Sequence, residues 1–186
     1  MSVNIVGREK DHALPDASFF HPRAFETLLT TYFNDRFGHR QWDNGVARHW
    51  GPAEWQVHDH LPVFSANCKI YNQNANGSKS LSPRQLLFFP ITKEHFVEIS
   101  MRQDIYSLDE HLNPAFDTAP IQALQDAILN SVTLELSPEA QADYQQATTE
   151  AGSATLTRHF PPLRWPTTGE LSSHHSRIPG AAIQQS

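Results

Sequence analysis

Two apolar runs, residues 86–91 and 96–101, flank the polar residues Thr92, Lys93, Glu94 and His95, and this stretch constrains the chain more than any other. Apolar arms around a short polar loop are the pattern of a β-hairpin. In the second arm Val97, Ile99 and Met101 alternate with Glu98, Ser100 and Arg102. Successive strand side chains point to opposite faces, so this arm has one apolar and one polar face. The first arm is apolar throughout, which predicts a strand covered on both sides and lying inside a sheet. Pro90 belongs at its end, because proline cannot donate to a ladder.

Around this hairpin the chain reads as one α+β domain over residues 1–150, an antiparallel sheet with packed helices, followed by an irregular tail over 151–186. A length of 186 residues suits one domain with an appendage. Residues 1–20 read as an extended arm with a short strand over 3–6. Pro22 suits a first helical position, and Phe25, Leu28, Leu29, Tyr32 and Phe33 form one apolar stripe, which predicts a helix over 22–37 closed by Gly38. Residues 39–60 place Trp42, Trp50 and Trp55 among Gly45, Gly51 and Pro52, a pattern of short strands or loops. The apolar content of Val63, Phe64, Cys68, Ile70 and Tyr71 predicts a strand over 61–71, and turn residues make 72–82 a loop.

After the hairpin, residues 104–120 read as a crossing loop. A second helix starts near Pro120, where Ile121, Leu124, Ile128 and Val132 recur at helical spacing. Ser137, Pro138 and Glu139 are the cap, first-turn proline and first-turn acid of a third helix running to about residue 149. Residues 118–150 hold five acids and no lysine or arginine, so their exposed surface is expected to be negative. The tail is rich in Ser, Thr, Pro and His and cannot build a core. Leu156, Phe160, Leu163 and Trp165 allow its first half to lie along the domain as a strap, with the chain beyond Gly169 expected to be mobile.

A formal charge of −6 argues against a general nucleic-acid binder and permits a basic protein partner. No apolar run approaches the ~18 residues of a membrane span, and the first residues lack signal-peptide character, so the expectation is a soluble, cytoplasmic protein. Cys68 is the only cysteine, which excludes an intramolecular disulfide. It reads as a small buried apolar residue.

Chemistry-bearing residues are few. His58 and His60, at i and i+2, project to one face if both lie on a strand and can then share a metal ion, with His49 and Glu54 as further ligands. The bland reading is that these imidazoles cap a tryptophan cluster. Motifs of the forms GxSxG, HExxH, GxxxxGK[ST] and GxGxxG are all missing from the sequence, so no cofactor is implied. Trp42, Trp50 and Trp55 are candidate partner-binding aromatics or core residues. Asp104, Asp109, Glu110 and Asp117 make an acidic loop that reads as a second partner-binding surface or as a solvated one.

Residues 89–99, followed by the helical 131–140, resemble small cytosolic bacterial immunity proteins that accompany secreted antibacterial toxins. That resemblance implies a non-enzymatic inhibitor that binds a cognate toxin. The alternative is a metal-dependent hydrolase built on His58 and His60.

Overall fold

The computed structural model describes residues 1–8, 16–102, 105, 108–109, 114–163 and 165. Five strands form one antiparallel sheet: β1 (Ser2–Gly7), β2 (His49–His58), β3 (Ser65–Asn72), β4 (Arg84–Pro90) and β5 (His95–Arg102), in the order β1-β5-β4-β3-β2. The hairpin β4–β5 is its spine, with Leu87 opposite Ile99 and Phe88 opposite Glu98, and Pro90 closes β4. Three helices complete the fold: α1 (Pro22–Phe33), α2 (Ala119–Ser131) and α3 (Pro138–Ala151). The class is therefore α+β. No helix among the described residues is long and apolar enough to cross a membrane.

Each face of the sheet is covered by different material. On one face Ala66, Cys68, Ile70, Leu86, Phe88 and Phe96 meet Phe25, Leu28, Leu29 and Phe33 of α1. On the other, Leu87, Phe89, Val97, Ile99 and Met101 meet Leu129 of α2 and Ala147 of α3. Burying one such large apolar side chain contributes about 1.5–3 kcal/mol, so α1 is held mainly by its stripe. His21 caps α1 by accepting from the Ala24 amide through its ring, and Ser137 caps α3 by accepting from the Ala140 amide.

Three sequence expectations are revised. The first helix does not run as an α-helix to residue 37: it ends at Phe33 and continues as a π turn, Asn34–Gly38. The tail strap locks this turn, since Trp165 Nε1 donates to Asn34 Oδ1 at 2.9 Å. A Cβ on Gly38 would lie 2.7 Å from the Trp165 ring, so a larger residue there would expel the strap. The strand expected over 61–71 is β3, Ser65–Asn72. Leu61, Val63 and Phe64 precede it in a loop and are apolar because they plug the cores, Leu61 and Val63 on the α2 side and Phe64 on the α1 side. The strap itself belongs to the packed structure: Leu156 is buried in the α1-side core, and Phe160, Leu163 and Trp165 pack against it. The mobility expected beyond Gly169 falls outside the described residues.

β5 departs from its pattern in a third way. Its polar face is covered, and Glu98 is 0% exposed. Tyr32 OH donates to Glu98 Oε2 at 2.6 Å, Asn4 Nδ2 donates to Oε1 at 3.1 Å, and Arg36 Nη2 lies 3.2 Å from Oε1. One buried carboxylate thus ties the edge strand, α1 and the π turn together. Burial raises the Tyr32 phenol pKa well above its ordinary value, and the hydrogen bond to Glu98 adds to it.

Candidate functional site

The β2–β3–β4 half of the α2 side is polar where the β4–β5 half is apolar. Alternation explains this. On β3, Ala66, Cys68 and Ile70 face α1, so Asn67 and Lys69 face the opposite side. Gln56 pairs with Asn67 and Lys69 with Gln85, so these four side chains share that side. With α2 as the opposing wall they bound a groove of about 410 Å³, lined by Glu54, Gln56, His58, Asn67, Lys69, Gln85, Gln122, Asp126, Leu129 and Asn130.

Glu54 reaches the groove through an irregularity in β2. The β2–β3 register shifts on both sides of Ala53, and Glu54 adopts φ 53°, a left-handed conformation that costs a non-glycine residue about 1–2 kcal/mol. There its Oε2 receives Lys69 Nζ at 2.6 Å while Oε1 receives the Tyr71 hydroxyl. Burial works to raise the Glu54 carboxyl, but the hydrogen bonds from Lys69 and Tyr71 prevail and hold it below its ordinary value. Tyr71, partly buried and donating to Glu54, is pushed well up.

His58 Nε2 and Asn67 Oδ1 are 2.8 Å apart. With Oδ1 as acceptor, Nε2 carries the proton and Nδ1 of the neutral ring is an acceptor. Gln85 is 2% exposed, and among the described residues its Oε1 is buried without a hydrogen-bond partner. A buried unpaired acceptor costs about 1–3 kcal/mol, so this oxygen works against stability. On the far wall Asp126 Oδ1 accepts from Gln122 Nε2 at 3.1 Å.

The sequence candidates are distributed as follows. His58 and Glu54 share the groove; His60 lies past the end of β2, with its ring 5.6 Å from that of His58. His49 lies in a different cavity with Trp50 and Trp165. Burial, then Arg40 and Arg84, depress its ring pKa. Among the described residues no group of three or more His, Cys, Asp or Glu is placed to hold a metal ion. Cys68 is fully buried on the α1 side, where burial and then the Glu98 charge push its thiol up, away from thiolate chemistry.

The three tryptophans do not form one cluster. Trp55 Nε1 donates to Thr157 O at 2.8 Å and its ring stacks on Phe160 at 4.8 Å, beneath the strap. Trp50 carries Lys79 Nζ 3.0 Å from its ring centre, and Trp42 carries the Arg48 guanidinium at 4.4 Å. Of the acidic loop, Asp109 and Asp117 are exposed, and Asp117 Oδ1 accepts from the Ala119 amide at 2.9 Å in a turn just ahead of Thr118, the N-cap of α2. Asp104 and Glu110 lie outside the described residues.

No family model, curated protein or solved structure matches the chain. Function therefore has to come from the groove and its surroundings. Sequence reading missed Asn67, Lys69, Gln56, Gln85, Gln122, Asp126, Leu129 and Asn130. The signal for the first two was the alternation of polar residues with Ala66, Cys68 and Ile70 inside a strand read only for its apolar content.

Proposed function

We propose that this chain is a non-enzymatic binding protein, an immunity-type inhibitor that captures a basic partner protein on the side carrying α2 and the groove. The observation that carries this reading is the pairing, over residues 116–150, of exposed apolar side chains with acid and no Lys or Arg. Leu124 is 60% exposed and Ile121 and Phe116 are also exposed. Leu124 lies midway between Gln122 and Asp126 on α2, so it stands on the helix face turned away from the groove that those two residues line. Exposed large apolar side chains gathered on one segment mark a protein-binding surface. From Ala119 to Ala151 the chain carries Asp126, Glu135, Glu139, Asp143 and Glu150 and no Lys or Arg. Asp143 pairs with Lys93 Nζ at 2.9 Å and Glu139 adds its field to the same lysine, which leaves Asp126, Glu135 and Glu150 without an ion pair among the described residues. Such a field speeds the approach of a positively charged partner.

Co-expression with the product of the adjacent reading frame tests the proposal. The expected result is co-purification and rescue of growth from that product's toxicity, with an association rate that falls steeply as the Debye length shrinks below about 10 Å. Failure both to co-purify and to rescue overturns the inhibitor reading. Tight binding with a salt-independent on-rate overturns the electrostatic part and leaves Ile121 and Leu124 as the anchors.

A further inference from the structure

We infer that the groove between β2–β3–β4 and α2 is a receptor for a guanidinium group, supplied by an arginine side chain of the partner protein. The identity of the source rests on the protein-binding reading above; the chemistry of the group rests on the groove alone.

Charge excludes an anion. Among the described residues Lys69 is the only Lys or Arg lining the groove, and its ammonium is already matched by Glu54 at 2.6 Å. Asp126, on the opposite wall, makes no ion pair among the described residues and is the uncompensated charge. Three acceptors in the groove have capacity to spare. Among the described residues Gln85 Oε1 is buried without a donor, His58 Nδ1 accepts in the tautomer whose Nε2 donates to Asn67, and the Asp126 carboxylate receives one side-chain donor, Gln122. Two of these acceptors are on the sheet, His58 on β2 and Gln85 on β4, and Asp126 is on the opposing α2. A compact ammonium carries its donors at one point, whereas a planar guanidinium carries five donors in a fixed fork and can address separated acceptors together. Leu129 supplies an apolar contact for the aliphatic stem of such a side chain.

Gln85 is the decisive residue. It forms part of an otherwise apolar buried strand, and a leucine or methionine there would continue the adjoining core of Leu87 and Phe89. A buried acceptor kept without a partner in the lining of a groove is explained by a donor that arrives with the ligand.

The experiment uses the full chain and titrates N-acetylargininamide against its neutral isostere N-acetylcitrullinamide and against N-acetyllysinamide, reading the His58 ring and Gln85 side-chain amide resonances by NMR. The expected result is saturable shifts with argininamide at about 1–10 mM, none with citrullinamide, and at least fivefold weaker binding of lysinamide. Asp126→Asn and Gln85→Met, made separately, are expected to weaken argininamide binding about fivefold to tenfold while the backbone spectrum stays that of the folded protein. The inference is overturned if argininamide produces no saturable shift, if citrullinamide or lysinamide binds equally well, or if both variants bind as the parent does. Glycyl-arginyl-glycinamide binding more tightly than guanidinium chloride identifies a presented side chain; the reverse order overturns the protein source. Because no partner protein is present, this outcome is separable from co-purification: a groove that binds argininamide in a chain that rescues nothing defeats only the inhibitor reading.

Discussion

The two sides of the sheet handle polar residues in opposite ways. On the α1 side the most deeply buried polar group, Glu98, has its carboxylate met by Tyr32, Asn4 and Arg36, and the layer around it is rich in phenylalanine. On the α2 side, the β4–β5 half is an apolar core, but the β2–β3–β4 half keeps Gln85 Oε1 unpaired and holds Glu54 in a left-handed conformation. Partnered polar groups in a packed layer contribute to the fold, whereas unpartnered or strained ones persist where something besides stability is selected. The difference teaches that burial alone does not mark a functional residue: Glu98 is the more buried, and Gln85 is the less satisfied.

The strongest way to break this comparison is in the α1 layer. Phe33→Ala, which removes a ring packed on Phe88 at 5.4 Å, is expected to cost about 3–5 kcal/mol in chemical denaturation. A loss under about 1 kcal/mol would mean that α1 is not the structural face. Next is Glu98→Gln, which keeps the shape but removes the charge opposite Arg36. An expected loss of about 1–3 kcal/mol follows from leaving a partly buried guanidinium without its carboxylate. The double change with Arg36→Met should lose less than the sum of the singles, as a coupled pair does.

In the groove the sign should reverse. Gln85→Met is expected to raise the unfolding free energy by about 1 kcal/mol, because it replaces an unsatisfied buried acceptor with an apolar group of similar length. A loss of similar size would show that Gln85 belongs to the structural class and remove the contrast. The smallest effect is a pH dependence at Glu54. Its carboxyl is held below the ordinary value, so its stabilising ion pair is complete above that value and fades as pH falls through the lower, folded-state value. The side chain is 48% exposed, so the difference in melting temperature between the protein and Glu54→Gln should correspond to less than about 1 kcal/mol near neutrality and vanish in acid. A difference that grows on acidification would reverse the assignment.

Local pattern carried much of the architecture. The hairpin β4–β5, with its four-residue loop and terminal Pro90, follows from two apolar runs, and the stripe from Phe25 to Phe33 determines which side of α1 is buried, with Tyr32 partly buried and its hydroxyl on Glu98. Ser137 and Pro138 likewise determine where α3 starts, since capping is a contact between near neighbours in the chain. Those features are encoded within a turn or two of sequence. What only the tertiary structure decided involves partners far apart: Glu98 opposite Asn4 and Tyr32, Trp165 on Asn34, and Asp126 facing Gln85 across the groove. Alternation assigns a side chain to a face but cannot say what covers that face. Covered by a helix that supplies a hydroxyl and a guanidinium, the polar side of β5 became a buried network; covered by a helix that supplies only amides and a carboxylate, the polar side of β3 became a groove.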